Sequence, residues 1–245
     1  MPLGFFVCVY KSLFGMEELS MEEKTKDLPL FRGELALLIV VIVNSFGVVL
    51  MLYSNAGISA ISSVPYAFSE VLPFFSLGTW TYIFQSLLIL TLMIMRKRFV
   101  LPYLLSFVVG FAFAELLDFH KAWIGILPDG LGFRIVYFII SYIMLCIGIA
   151  LSNRCKLPII PTDLFPREFS DITGIKYSRV KITFDVLCLF TTGVMTFVGL
   201  GYIKGLGIGT VMAAFTMGKS IGFIGDIIDK HFRFETYWSM KKIEK

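Results

Sequence analysis

Charge is what this chain has least of. Only 16% of its 245 residues are Asp, Glu, Lys or Arg, against about 25% in a typical soluble domain. A disordered chain needs charge and few apolar residues, so that class is excluded. Histidine is scarcer still. His120 and His231 are the only two and stand far apart, so no zinc site and no nucleophile–His–acid arrangement is legible. Cys8, Cys146, Cys155 and Cys188 form no CxxC pair, which removes zinc ribbons and disulfide-stapled secreted folds. Cys146 and Cys188 fall inside apolar runs and read as buried small hydrophobes. HExxH and paired catalytic carboxylates are lacking too. A net charge of +4 is small for a nucleic-acid binder. The sequence therefore reads as non-enzymatic, with no cofactor, no metal and no nucleic-acid partner.

What is there is apolar. Hydrophobic residues make up 57% and mean hydropathy is +0.81, a surplus that one soluble core cannot hide. Six windows of about 20 apolar residues qualify as spans: Glu34 to Tyr53, Leu72 to Met95, Phe99 to Phe119, Phe133 to Leu151, Ile182 to Ile203 and Leu206 to Ile228. The expected fold is an all-α polytopic membrane protein. Residues 1–33 read as a cytoplasmic N-terminal segment whose first residues are a misassigned start, with Met16 or Met21 as the true one. Residues 231–245 read as a basic cytoplasmic tail. With both termini inside, inner segments hold 18 Lys and Arg and outer segments three, which sets the orientation.

The spans repeat. Gly47, Pro65, Phe68 and Ser69 recur as Gly148, Pro166, Phe169 and Ser170 at one offset of 101. Gly110-xxx-Ala114-xxx-Asp118 recurs as Gly218-xxx-Gly222-xxx-Asp226. Residues 34–132 and 133–230 thus read as two three-helix repeats. An odd number of spans per repeat inverts the second copy, as in many transporters. Pro65 and Pro166 mark the linkers after the first span of each copy. The first linker, Asn55 to Pro73, reads as a short or re-entrant helix; the second, Asn153 to Lys181, as a surface element.

The stretches Ser54-Asn55-Ala56-Gly57-Ile58-Ser59, Ile160-Pro161-Thr162-Asp163-Leu164-Phe165-Pro166 and Gly207 to Gly222 resemble the YitT/YczE/YyaS group of bacterial membrane proteins. Ala60 stands where that group often has proline. The resemblance implies an integral membrane protein of bacteria, expected in the plasma membrane, and it supplies no substrate and no catalytic residues.

Ionisable and polar groups at membrane depth carry the functional expectation. Lys219 in the sixth span and Asp185 in the fifth are expected to pair. Gln85, Glu115, Asn44 and Asn55 complete the pathway candidates. Gly218, Gly222, Gly110 and Ala114 read as close-packing positions, with a homodimer seam as the alternative for Gly218-xxx-Gly222. Ala213 to Ser220 loosely resembles a P-loop, but a mid-span helix has no free N–H groups to cradle a phosphate. The leading expectation is a secondary transporter or permease for a small solute. A non-transporting regulator or accessory subunit is the alternative. The partners expected are the lipid bilayer and a small-molecule or ion ligand.

Overall fold

Helix ends follow local chemistry. Gly174 and Gly201 stop their helices in the left-handed conformation (φ 71° and 79°), where a residue without Cβ is unstrained. The Ser76 hydroxyl opens another helix by accepting the Thr79 N–H at 3.0 Å. The computed structural model describes residues 28–97 and 101–235. Its elements are β1 (Leu30–Arg32), α1 (Gly33–Tyr53), α2 (Ala60–Val71), α3 (Leu77–Arg96), α4 (Leu101–Trp123), α5 (Leu131–Ser152), α6 (Pro161–Thr173), α7 (Tyr177–Leu200), α8 (Ile208–His231) and β2 (Arg233–Glu235), with a 3-10 turn at Ile124–Ile126.

Six helices are long and apolar enough to cross a membrane, which makes this a multi-pass helical membrane protein. Their bounds move the expected ones by a few residues. The second starts at Leu77 rather than Leu72, because α2 and a turn occupy the residues before it. The fifth runs Tyr177–Leu200, because Gly201 ends it before Ile203. The misassigned-start reading and most of the basic tail lie outside the described residues. The part of the tail that is described forms β2, which pairs in parallel with β1. That pairing brings the start of α1 and the end of α8 to one side, called the terminal side below.

The core is the contact of α1 with α5, flanked by α4 on α1 and α8 on α5. Val48, Val49, Met51, Leu145 and Ala150 are buried there. Two short helices complete the bundle: α2 lies along α7, and α6 lies along α3. The second linker is therefore not a surface element. Pro161, Leu164, Phe165 and Pro166 of α6 are buried, because their apolar side chains fill the space beside α3. Glu168 of α6 accepts from Arg96 of α3 at 2.6 Å and from Tyr103 of α4. This distant pairing replaces the local one that its Lys- and Arg-rich surroundings suggest. Each short helix has a proline at its sixth residue, Pro65 and Pro166. A proline there leaves the carbonyl four residues earlier, Ile61 or Thr162, without its helical donor.

Candidate functional site

One wall of the site is a helix face with inverted polarity. α7 turns Lys181, Asp185, Cys188, Thr192 and Thr196 inward and leaves Val186, Phe190, Val194 and Phe197 exposed. Facing lipid, that arrangement costs nothing for the apolar side. The inward polar groups must then be satisfied inside the bundle. Lys181 does so first. Its Nζ donates to Asp185 Oδ1 at 2.6 Å and Oδ2 at 2.7 Å across one turn of α7. Only 5% of Asp185 is exposed. The expected pair of Asp185 with Lys219 is thereby corrected. Spacing of four along one helix aligns Lys181 with Asp185, whereas Lys219 lies on the exposed side of α8.

A cavity opens beside this pair. It is walled by Asn44 and Val48 of α1, Ser59 to Ser62 at the start of α2, Thr162 and Asp163 at the start of α6, and Ala213 and Met217 of α8, with Phe113, Leu145 and Ile149 closing it. It offers about 40 Å³ to the centre of a water molecule, room for about three waters. The N-termini of both short helices border it. The N–H groups of Ala60, Ile61 and Ser62 have no acceptor within α2. The carbonyls freed by Pro65 and Pro166 belong to Ile61 and Thr162, which line the same space.

Asp163 is the unbalanced charge here. No ion pair reaches it among the described residues. Loss of hydration pushes its carboxyl upward; Lys181 and Arg167 pull it down, and Asp185 pushes it up. Sequence reasoning misses Asp163 and Lys181 as site residues because both read as part of the basic cytoplasmic linker. The i, i+4 spacing of Lys181 and Asp185 is the signal that could have found one of them.

Asn44, 3% exposed, lines the cavity, and its Oδ1 has no hydrogen-bond partner. Gln85 is 1% exposed with both amide atoms unpartnered. It sits against Gly110 and Pro161 rather than in the cavity: a Cβ at Gly110 would overlap its Oε1 and press on the Pro161 ring. Gly110 and Ala114 therefore do pack closely, as expected, against α3. Gly218 and Gly222 do not, for a Cβ at either meets nothing within 4 Å. The physical reason is that α7 and α8 touch little where α3 and α4 touch closely. Glu115 is exposed on α4, and Asn55 is an exposed left-handed turn residue after α1 (φ 55°); neither lines the cavity.

A separate pocket lies farther along α6 and α7. Asn153, Arg167, Ser170, Asp171 and Tyr177 line this pocket of about 200 Å³. Along α6 the series Asp163, Arg167, Ser170 advances by single turns, as do Tyr177, Lys181 and Asp185 along α7. On the side opposite the terminal one, the loop before α8 is tied to α2. Lys204 pairs with Glu70 at 2.5 Å, and the Tyr66 ring covers Gly205, where a Cβ would stand 2.6 Å from the ring. Burial first, and the neighbouring Glu70 second, push the Tyr66 hydroxyl up, so it stays neutral.

No group of three His, Cys, Asp or Glu residues suited to a metal occurs among the described residues. No curated protein and no solved structure matches the chain. A family model does, over residues 31–226, which include every element from α1 to the cavity-lining part of α8. The chain belongs to that family, DUF6198, described as a family of unknown function.

Proposed function

We propose that this protein is a secondary transporter or permease for a small solute, built as two inverted three-helix repeats in a bacterial plasma membrane with both termini cytoplasmic. The observation that carries this reading is the polar cavity, which takes walls from both halves of the chain and holds Asp163, Lys181 and Asp185 inside an otherwise apolar bundle. Such groups are expensive at membrane depth and are retained where a solute or ion is handled. The resemblance to the YitT/YczE/YyaS group is compatible with it.

The repeat is supported by paired positions at the offset of 101. Gly47 faces Leu145, and Gly148 faces Asn44; the four residues exchange by that offset. Asn55 and Lys156 exchange the same way and share the left-handed conformation, φ 55° and 54°. Ser59 (φ −60°, ψ 144°) and Ile160 (φ −54°, ψ 130°) precede their short helices with similar backbone angles. Neighbours exchange as well: α2 beside α7 mirrors α6 beside α3. The two halves differ most at α3 with α4 against α7 with α8. Unequal packing of equivalent helices is what alternating access requires. Reversal of that inequality would open the side where Glu70 and Lys204 pair.

The test is reconstitution into vesicles. Solutes that raise the thermal stability of the purified protein are followed for saturable uptake. Uptake that is lost in Asp163→Asn while the protein stays folded supports the reading. A stabilising solute with no uptake in any vesicle, or no stabilising solute at all, overturns it.

A second reading, a regulator or accessory subunit, draws on the outer face of α8. There Lys219 is exposed without an ion pair among the described residues, beside the open Gly218 and Gly222. Isolation of a stoichiometric membrane partner in mild detergent, lost in Lys219→Met, would favour it.

A further inference from the structure

We propose that the cavity between α1, α2, α6 and α7 is a binding site for one monovalent cation, a proton or a sodium ion, held at Asp163 with Asn44. This deepens the transporter reading and rests on it for its purpose, since a bound cation would be the coupling ion. The binding site itself does not depend on that purpose.

Three independent features converge. The first is charge. Lys181 and Asp185 cancel each other across 2.6 Å, which leaves the Asp163 carboxylate as the one uncompensated charge of the cavity wall. A carboxylate withdrawn from bulk water without a partner takes up a counter-charge or a proton rather than stand alone. The second is an orphan acceptor. Asn44 lines the space, and its Oδ1, buried beside Gly148 of α5, is without a donor, so it gains from a cation or from a cation's water. The third is the freed carbonyls. Pro65 and Pro166 deprive the Ile61 and Thr162 carbonyls of their i+4 donor, and both residues line the space. Hard monovalent and divalent cations take such oxygen sets. The wall's own charged groups, Asp163, Asp185 and Lys181, sum to one negative charge, and Arg167 on the next turn of α6 lowers the field further. So weak a net charge in so small a space suits a single monovalent ion better than a divalent one. An anion fits poorly, because it would meet Asp163 and Asp185 together.

The groups facing Asp163 are few. Lys181, Asp185 and Tyr177 come from α7, and Arg167 from α6 itself. From α1 and α2 come Asn44, Ser59 and Ser62, and from α5 and α8 only apolar side chains. Asp163 is the one carboxyl of this set without an ion pair, which makes it the proton or cation acceptor. The raised protonation of that carboxyl is consistent with the same conclusion.

The experiment is thermal unfolding of the purified full chain. Sodium chloride is titrated against N-methylglucamine chloride at constant ionic strength, at about pH 5 and about pH 8, on either side of a raised carboxyl. Saturable stabilisation by sodium at the higher pH, absent in the N-methylglucamine series, names sodium. Stabilisation by the lower pH alone, with no sodium effect, names the proton. In Asp163→Asn either response falls at least tenfold in apparent affinity or disappears. Asn44→Asp, nearly isosteric and adding a carboxylate, should raise sodium affinity several-fold, and it covers the case in which Asp163→Asn fails to fold. No response to sodium or pH in the wild-type protein, or an unchanged response in a folded Asp163→Asn, overturns the site. Uptake of a solute without any cation dependence would overturn the coupling role of the bound cation and leave the transporter reading standing. Cation binding without uptake would overturn the transporter reading and leave the site standing.

Discussion

Asn44 and Gly148 interlock where α1 crosses α5. A Cβ at residue 148 would overlap the Asn44 Oδ1, while Gly47, 101 residues earlier, leaves a Cβ 3.1 Å from Leu145 Cγ. The two contacts are equivalent by position and unequal in tightness, so they respond differently to the same change. Gly148→Ala should cost about 1–3 kcal/mol by overpacking and should also displace Asn44 from the cavity. Gly47→Ala should cost less, because the Leu145 side chain can shift by a few tenths of an ångström. Thermal unfolding in detergent compares them; equal costs would contradict the geometry.

Lys181 and Lys219 should behave oppositely. Removing Lys181 leaves Asp185 buried without its counter-charge, so Lys181→Met should cost about 3–5 kcal/mol. The double change Lys181→Met with Asp185→Leu should recover much of that loss. Lys219→Met, on the exposed side of α8, should stay within about 0.5 kcal/mol of the parent. Unfolding midpoints of the four proteins decide the matter.

Asp163 should impose a pH slope on stability. Its folded-state carboxyl is raised, so between the ordinary carboxylate range and that raised value the folded chain binds more protons than the unfolded one. Stability contributed by Asp163 is therefore full at lower pH, falls as pH rises through this window, and levels off above it. Asp163→Asn should remove that component and flatten the profile. A slope unchanged in the variant would assign it to another group.

Three glycines should separate packing from motion. Gly78 lies so close to α4 that a Cβ would overlap the Ala114 carbonyl, so Gly78→Ala should destabilise the resting fold. Gly218→Ala and Gly222→Ala meet open space and should leave stability unchanged. If α7 closes on α8 during a transport cycle, these two should nonetheless slow uptake. Normal uptake with both replaced by leucine would exclude that closure.

Much of the fold is legible in the linear order of residues. Six apolar runs, two prolines 101 residues apart and the bias of basic residues need no tertiary information, because bilayer thickness and backbone hydrogen bonding act on local sequence. Gly110 with Ala114 is also readable as a packing face. Gly218 with Gly222 is not, since the same small-residue spacing says nothing about which neighbour arrives. The site is half legible. Asn44 and Asp185 are marked by polarity inside apolar runs. Asp163 and Lys181 are masked by a basic linker that reads as surface, whereas α6 is in fact inserted beside α3.

Length, hydropathy and proline placement were enough to specify six membrane-crossing helices and a pattern shared by the two halves. The reason is that each of these properties acts over one helix at a time. Packing between distant helices was needed to establish that Asp185 answers to Lys181 and not to Lys219, and that Asp163 is left unbalanced in a cavity beside Asn44. Charge balance in a low-dielectric interior depends on which groups lie within a few ångströms. That is settled by how helices far apart in sequence come together.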